Sequence, residues 1–406
     1  MKNGIFKNNV VRNLALLAAA AGFCVCAAEF FLYIVSLPTD YIGAYRIDER
    51  FGLTHTPRAK LRYHGEGHSF DSFNKKGLRD FDYPYQKPLG VKRILVLGDS
   101  YTEGLQVPLT NTYCKLLEKR LNKDTAGGTK WEVINAGVQG YGSAQQFIFL
   151  TLEGYKYNPD YVLMGYFAND IASVSFETEE LLFGTASARQ RPYLALSNNS
   201  FVVERSAFND FLQEHKKQRI RRFFASRRIT VLASRFLVRT SIYSMLVSGK
   251  EKIRTPKPLY DNALFYYMPD EMNKDLWSKA AAVQRNIFRE IKKWCDTRQV
   301  AFLLANIPGP LSYRELPDVK NRFADSIGSA RFDQEYQNTL ICTFAEQEHI
   351  PFIDLLPAFT AFQEKDSLDF ITAGSQFECH LDTAGHALIA EVLYRNFQIN
   401  LTMVKK

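Results

Sequence analysis

The sequence predicts an α/β fold, a three-layer α/β/α sandwich built around a central parallel sheet. Short apolar runs of strand length alternate with longer segments of helical pattern along most of the 406 residues. The runs are nearly continuous in Val, Ile and Leu, which is typical of strands buried on both faces. Polar or glycine-rich turns follow several of them, at the end of the strand where open α/β sheets gather ligands.

Five strands and the helices between them are expected in chain order. The predicted strands cover residues 93–97, 131–135, 161–167, 300–307 and 351–355. The predicted helices cover residues 111–121, 143–157, 270–297, 333–347 and 383–397. Strands that alternate with helices are joined by right-handed crossovers, so the helices should cover both faces of the sheet.

The start of the chain has the pattern of a membrane anchor. Three basic residues precede an apolar run over 14–37 that is interrupted only by Glu29. A helix of that length spans the hydrocarbon core of a bilayer, and basic residues before it place the N-terminus in the cytosol. A cleaved signal peptide is the alternative, because residues 26–28 are small. Either interpretation places the body of the protein outside the cytosol, on the periplasmic side of an inner membrane.

The predicted organisation has four parts. They are a cytoplasmic N-terminus (1–13), a transmembrane signal anchor (14–37), a membrane-proximal region of loops or hairpins (38–90) and an α/β domain (91–400). A helical insertion at 173–260 interrupts the domain and contains a basic, partly apolar stretch at 215–228. This stretch is interpreted either as an ordinary solvated helix face or as a surface for anionic lipid or an acidic substrate.

Composition excludes several function classes. The net charge of +8 gives a basic surface, but no zinc-finger spacing, basic-zipper heptad or RNA-binding aromatic motif accompanies it. The six cysteines include no Cys-x-x-Cys pair or other metal-ligand spacing. We therefore expect no nucleic-acid partner and no metal.

A serine stands where the first predicted strand ends. The apolar run 93–97 leads directly into Gly98, Asp99 and Ser100. A turn at this position lifts a hydroxyl to the rim of the sheet, where it is accessible to a ligand.

Three later segments bring further polar groups to the same edge. The glycine-rich turn within 133–146 allows a tight backbone with an N–H pointing outward. The strand at 161–167 is followed by Asn169 and Asp170, and an Asn amide can donate to a developing oxyanion. His380 stands just before the last predicted helix. Groups placed at the carboxyl ends of parallel strands can converge on one site.

In this order, the four segments resemble the four sequence blocks of the SGNH, or GDSL, hydrolases. The segments GLRDFDYP and GDSYTEGLQVP also resemble a membrane-anchored bacterial branch of that family. The resemblance covers residues 76–171 and 298–398. It implies a flavodoxin-like sheet and acyl transfer that needs no cofactor.

The same resemblance implies a role for each matching residue. Ser100 corresponds to the nucleophile, and its own N–H to one donor of the oxyanion hole. Gly140 and Asn169 correspond to the other two donors, and His380 to the base. His386 is the competing histidine, although it lies inside the last predicted helix.

The sequence departs from the family at the acid of the triad. The family usually has Asp three positions before the histidine, and this chain has Phe377 there. Glu378 is the nearest carboxylate and is our candidate acid, with Asp369 further back. The alternative is a Ser-His dyad in which a backbone carbonyl orients the imidazole.

The function expected from these residues is a serine esterase. Its expected substrate is an ester-linked acyl group, acetyl above all, on a cell-envelope or exported carbohydrate. The alternatives are a lipase or phospholipase, an O-acyltransferase, and a non-catalytic SGNH-like scaffold or glycan-binding protein of an envelope complex. Beyond the acylated carbohydrate or lipid ester, the one expected partner is the membrane, through the N-terminal helix.

Overall fold

The structure is a computed structural model that describes residues 2–34, 44–64, 66–123, 128–197, 200–217, 274–313, 333–366 and 380–404. The helices in these ranges are α1 (Lys2–Ile34), α2 (Ser100–Glu103), α3 (Tyr113–Lys123), α4 (Ser143–Leu152), α5 (Phe176–Phe183), α6 (Thr185–Ala188), α7 (Ser206–Lys217), α8 (Lys274–Asp296), α9 (Pro310–Tyr313), α10 (Tyr336–Gln347), α11 (Leu356–Asp366) and α12 (Thr383–Val404). The strands are β1 (Tyr45–Asp48), β2 (Gly52–His55), β3 (Lys60–Tyr63), β4 (Ser69–Ser72), β5 (Val91–Gly98), β6 (Lys130–Asn135), β7 (Tyr161–Tyr166), β8 (Tyr193–Ser197), β9 (Ser200–Glu204), β10 (Ala301–Asn306) and β11 (Phe352–Asp354).

Five of the strands form one parallel sheet in the order β11-β10-β7-β5-β6. Numbered by their order along the chain, these strands lie in the sequence 5-4-3-1-2, which is the flavodoxin-like arrangement. The predicted fold class and the five predicted strands are confirmed. The switch in strand order falls beside β5, so the end of β5 is the position where such sheets bind ligands.

The hydrophobic core lies on both faces of this sheet. Along β5, Leu95 and Leu97 pack into one cluster, while Ile94 and Val96 pack into another. The first cluster includes side chains from α4, α8 and α10, and the second includes side chains from α3, α11 and α12. Alternate residues of one strand thus contact different helix layers, which confirms the three-layer sandwich.

One predicted helix is shorter than its pattern suggests. The expected helix 143–157 ends at Leu152, and a 3-10 turn follows it. A Cβ on Gly154 would lie 2.8 Å from a methyl carbon of Leu95, so this residue allows the chain to pass close to the sheet. Glu153 leaves helical geometry just before this close approach.

The N-terminal region forms two antiparallel hairpins, β1-β2 and β3-β4. Side chains from this region form a small core of their own, which also includes Leu105 from the loop after α2. Its buried members are Ala44, Leu61, Tyr63, Phe73 and Leu105. The second hairpin is therefore packed directly against the segment that follows Ser100.

The described part of the insertion begins with α5 and α6 and continues into the hairpin β8-β9 and then α7. It therefore contains a two-stranded sheet in addition to helices. Most of the predicted basic stretch, residues 218–228, lies outside the described residues. Lys216 is described, and its ammonium forms an exposed ion pair with Glu49 at 2.9 Å.

The N-terminal helix α1 contains a segment that could cross a membrane. Residues Val11–Ala28 have a mean hydropathy of 1.8, and none of this segment is buried against the rest of the protein. By length and composition, α1 fits either a membrane anchor or a signal sequence.

Candidate active site

Ser100 lies at the carboxyl end of the central strand β5 and is the first residue of α2. The carboxylate of Asp99 caps this short helix by accepting the backbone N–H of Tyr101 at 2.9 Å. A Cβ on Gly98 would lie only 1.9 Å from Oγ1 of Thr102, so the close turn requires glycine. The turn leaves Ser100 at the rim of the sheet with 8% of its surface exposed.

His380 brings its imidazole to this serine from the far end of the chain. The distance from Nε2 of His380 to Oγ of Ser100 is 2.8 Å, which is a hydrogen bond. The imidazole packs on the Tyr101 ring with 4.9 Å between centroids, and Tyr101 in turn stacks on Phe167. The aromatic pair restricts the plane in which the imidazole can lie.

A carboxylate from the N-terminal region reaches the other nitrogen of the imidazole. Oε2 of Glu66 lies 2.5 Å from Nδ1 of His380 and also accepts the backbone N–H of His380 at 3.1 Å. An ionised carboxylate only accepts hydrogen bonds, so Nδ1 must carry the proton. Nε2 is then the acceptor for the Ser100 hydroxyl, as a general base requires.

The turn that carries Glu66 is held against the loop after α2. Oγ of Ser69 donates to the carbonyl of Leu105 at 2.6 Å, and the N–H of Glu66 donates to the Tyr63 hydroxyl at 3.3 Å. A Cβ on Gly67 would lie 2.3 Å from the carbonyl oxygen of Gln106. The turn therefore sits too close to that backbone for any larger residue at this position.

Arg79 links the β3-β4 hairpin to α2, the helix that begins with Ser100. Its guanidinium is fully buried and donates to the carbonyls of Glu103, Gly104 and Val107. It also pairs with the carboxylate of Asp71 in β4. These charge-assisted bonds from its terminal nitrogens fix the hairpin relative to α2.

Gly140 and Asn169 lie in the two other loops that follow sheet strands. Gly140 has φ +74° in a turn closed by a hydrogen bond from Tyr141 N–H to the Val138 carbonyl. Asn169 lies in the 3-10 turn after β7, is partly exposed, and makes a polar contact with Asp99.

Two buried carboxyls, Asp99 and Asp170, lie behind the serine. Burial raises the pKa of Asp99 to about 6, while hydrogen bonds from Tyr101 N–H and Asn169 and the nearby His380 act to lower it. Burial, together with the neighbouring charge of Asp99, raises the pKa of Asp170 well above its ordinary value. The Gln146 amide donates to both oxygens of Asp170 at 3.1 Å. The contacts of both carboxyls with backbone N–H groups and side-chain amides indicate that they support loops.

His386, the competing histidine, is buried within α12, and the imidazole bonded to the serine hydroxyl is that of His380. Nδ1 of His386 accepts the backbone N–H of Tyr113 at 3.3 Å, and its ring stacks on the Tyr113 ring. Burial, followed by the charges of Arg79 and His380, lowers the pKa of His386 from 6.5 to about 3. This ring remains neutral and has a structural role.

We expect His386 to destabilise the fold in acid. Its folded-state pKa is depressed, so between pH 6.5 and about 3 the unfolded chain binds the proton more readily. The stability of the wild type should therefore fall, relative to His386→Gln, as the pH decreases through this window. Urea unfolding at a series of pH values measures the difference, and parallel curves for the two proteins would contradict the assignment.

Sequence reasoning placed Ser100 and His380 together, and it missed Glu66. Glu378, the candidate acid from the sequence, lies outside the described residues together with Phe377 and Asp369. Glu66 is 314 positions from His380, in a turn with no family spacing to mark it. The one local signal is a lone acidic residue between two glycines at the tip of a short alternating hairpin pattern.

No family model and no curated protein sequence matches this chain. Among solved structures, it is similar to an acetyl xylan esterase at 13% identity and a TM-score of 0.37, covering 75% of this chain and 98% of that one. It is also similar to a lipase/acylhydrolase from Enterococcus faecalis at 13% identity and a TM-score of 0.38, covering 76% and 96%. At such identities and TM-scores, a function has to be assigned from the geometry of the site itself.

Proposed function

We propose that this chain is a serine ester hydrolase of the SGNH type, with Ser100, His380 and Glu66 as its catalytic triad. The observation that carries the proposal is the continuous relay from carboxylate to imidazole to hydroxyl, with contacts of 2.5 and 2.8 Å. Three segments far apart in the sequence meet there, at the end of the central strand. A solvated surface histidine would not combine these contacts with the aromatic packing of its ring.

In the proposed reaction, Nε2 of His380 takes the hydroxyl proton of Ser100 as Oγ attacks the ester carbonyl. The N–H groups of Ser100 and Gly140 and the Asn169 amide hold the oxyanion of the tetrahedral intermediate. Its collapse breaks the ester bond, and the leaving alcohol takes the proton from His380. Water then attacks the acyl-enzyme by the same steps and releases the acid. Glu66 stabilises the imidazolium that forms in each half of the reaction.

A fluorophosphonate probe tests this function without knowledge of the substrate. We expect the probe to label the wild type at Ser100, which peptide mapping by mass spectrometry identifies, and not to label Ser100→Ala. Ser206→Ala is the matched control, because Ser206 also contacts a carboxylate, that of Glu204, but is on the surface. An unlabelled wild type, or equal labelling of Ser100→Ala, would exclude a serine hydrolase and leave the non-catalytic scaffold.

We further propose that the natural substrate carries a short acyl group, acetyl above all, on a cell-envelope or exported carbohydrate. The His380 side chain, which is 21% exposed, supports a site that is open to a bulky alcohol. The lipase alternative requires instead an apolar channel for a long chain.

We expect kcat/KM for p-nitrophenyl acetate to be at least about tenfold higher than for p-nitrophenyl palmitate. The reason is that a small acyl pocket excludes a long acyl chain sterically. The two esters are compared under identical detergent conditions, with Ser100→Ala to subtract background hydrolysis. A preference for palmitate would replace the carbohydrate esterase with a lipase. Formation of an acylated sugar in the presence of an acceptor would indicate an O-acyltransferase.

We also propose that α1 anchors the protein in the inner membrane with its α/β domain on the periplasmic side. The apolar segment Val11–Ala28 and the basic residues that precede it support this orientation. An alkaline phosphatase fused to the C-terminus should be active and remain with the membrane fraction. Release of the active fusion into the soluble periplasm would indicate a cleaved signal peptide.

A further inference from the structure

The direction of the Gly140 N–H depends on the form of the turn that contains it. Residues 138–141 form a β-turn in which the third residue, Gly140, has φ +74°, which makes it type II. In a type I turn over the same residues, the peptide between Gln139 and Gly140 would be rotated by about half a turn. The Gly140 N–H belongs to this peptide, so its direction depends on which turn is held.

Two side chains hold the peptide groups on either side of the Gln139–Gly140 peptide. The carboxylate of Glu103 accepts the Gln139 N–H at 2.6 Å, and the guanidinium of Arg191 donates to the Gly140 carbonyl. Glu103 is buried in the helix of the nucleophile and pairs with His55 at 2.9 Å. Arg191 comes from the insertion, a part of the chain outside the sequence blocks that resemble the family.

Other side chains of the insertion hold this guanidinium in place. The Arg191 side chain is 10% exposed, and its second terminal nitrogen lies 3.5 Å from the Glu179 carboxylate. Glu179 is itself fixed, because it accepts hydroxyl bonds from Ser173 at 2.5 Å and Ser187 at 2.7 Å. Pro192, which follows Arg191 in the chain, is also held in place, because its carbonyl accepts a hydrogen bond from the Gln145 amide of α4 at 2.7 Å.

We propose that Arg191 is a positioning residue that holds the Gly140 turn in its type II form and so directs the Gly140 N–H to the oxyanion. This inference rests on the proposed serine esterase function. It gives the insertion a part in turnover, because α5 and α6 orient a guanidinium that holds the Gly140 carbonyl. Without Arg191, the turn can exchange with forms in which this N–H points elsewhere.

The test is Arg191→Met, compared with wild type on p-nitrophenyl acetate. Loss of one complete oxyanion donor lowers kcat by about 10²–10³-fold. In Arg191→Met, the Gly140 N–H would point to the oxyanion only part of the time, so we expect a smaller loss of about 10–100-fold. KM should change little, because the bound ester carries no oxyanion and the charge develops only as Ser100 attacks. Arg191→Lys keeps a charged donor and should recover part of the loss.

Arg189→Met is the matched control, since Arg189 lies two residues away and forms an exposed ion pair with Glu214 at 2.9 Å. It should have wild-type kcat. A second readout separates positioning from general damage: the low-field proton NMR signal of the hydrogen bond between His380 and Glu66 should persist in Arg191→Met. If Arg191→Met does not fold, the kcat of Arg191→Lys gives the same answer, with a smaller expected loss.

If Arg191→Met folds, three results would overturn the inference. They are a kcat of Arg191→Met within about twofold of wild type, an equal fall in Arg189→Met, and a loss confined to KM. If Arg191→Met does not fold, wild-type kcat in Arg191→Lys would overturn it as well. Failure of the proposed function gives a different result, because the wild type itself would then show neither turnover nor labelling of Ser100.

Discussion

Replacing His380 by alanine is expected to reduce kcat by about 10³–10⁶-fold while leaving the protein folded. Without the imidazole, the Ser100 hydroxyl loses the base to which it donates, so a neutral alcohol must attack the ester. The loss is measured with p-nitrophenyl acetate, and the rate of fluorophosphonate labelling at Ser100 should fall in parallel. Folding is checked by circular dichroism and by the melting temperature, because His380 is partly exposed and its removal leaves the core intact.

His386→Ala is the informative comparison for this variant. It removes a histidine six positions away that is buried and bonded to the Tyr113 N–H. We expect a lower melting temperature, with turnover preserved in the fraction that remains folded. The reverse pattern, an active His380→Ala and an inactive but folded His386→Ala, would transfer the role of base to His386.

Replacing Glu66 by glutamine is the second large effect, with an expected fall in kcat of about 10²–10⁴-fold. The amide has nearly the same shape, but it can present an N–H to Nδ1 of His380 and so favour the wrong tautomer. It also removes the negative charge that stabilises the imidazolium. KM for p-nitrophenyl acetate should stay close to wild type, because Glu66 contacts the imidazole and not the acyl group.

Two controls make the Glu66 result specific. Glu391→Gln changes a glutamate on α12 whose side chain is 28% exposed, nearly the same as the 27% of Glu66, and it should have wild-type kcat. Glu378→Gln tests the carboxylate that the sequence favoured. A large loss in Glu378→Gln with an active Glu66→Gln would restore Glu378 as the acid of the triad.

The fold could be predicted because each strand of its sheet has a recognisable pattern in the local sequence. Buried parallel strands are continuous apolar runs, and the run predicted at 131–135 became the strand Lys130–Asn135. Ser100 and His380 could be placed as well, because each follows a strand or precedes a helix whose position was clear. Ends of elements were less certain, since a tertiary contact such as that of Gly154 with Leu95 stops a helix whose own pattern continues.

Glu66 and Arg191 could not be predicted, because their roles depend on tertiary docking. Glu66 reaches His380 only because the β3-β4 hairpin is fastened to the loop after α2, in part through the buried Arg79. Arg191 reaches Gly140 only because the insertion folds back over the glycine turn. Neither contact has a fixed spacing in the sequence, and each joins segments whose local hydrophobic patterns carry no information about their docking.

The position of Glu66 in an N-terminal hairpin has a practical consequence for anyone who detaches the soluble part from its membrane helix. A protein trimmed to the sheet-containing domain, starting near residue 91, would retain the proposed nucleophile and base yet lack both the proposed acid, Glu66, and Arg79. The smallest unit worth expressing therefore begins at about residue 44, where the described hairpins start. Weak turnover in a shorter fragment would reflect this missing piece and would say little about the enzyme in its natural setting.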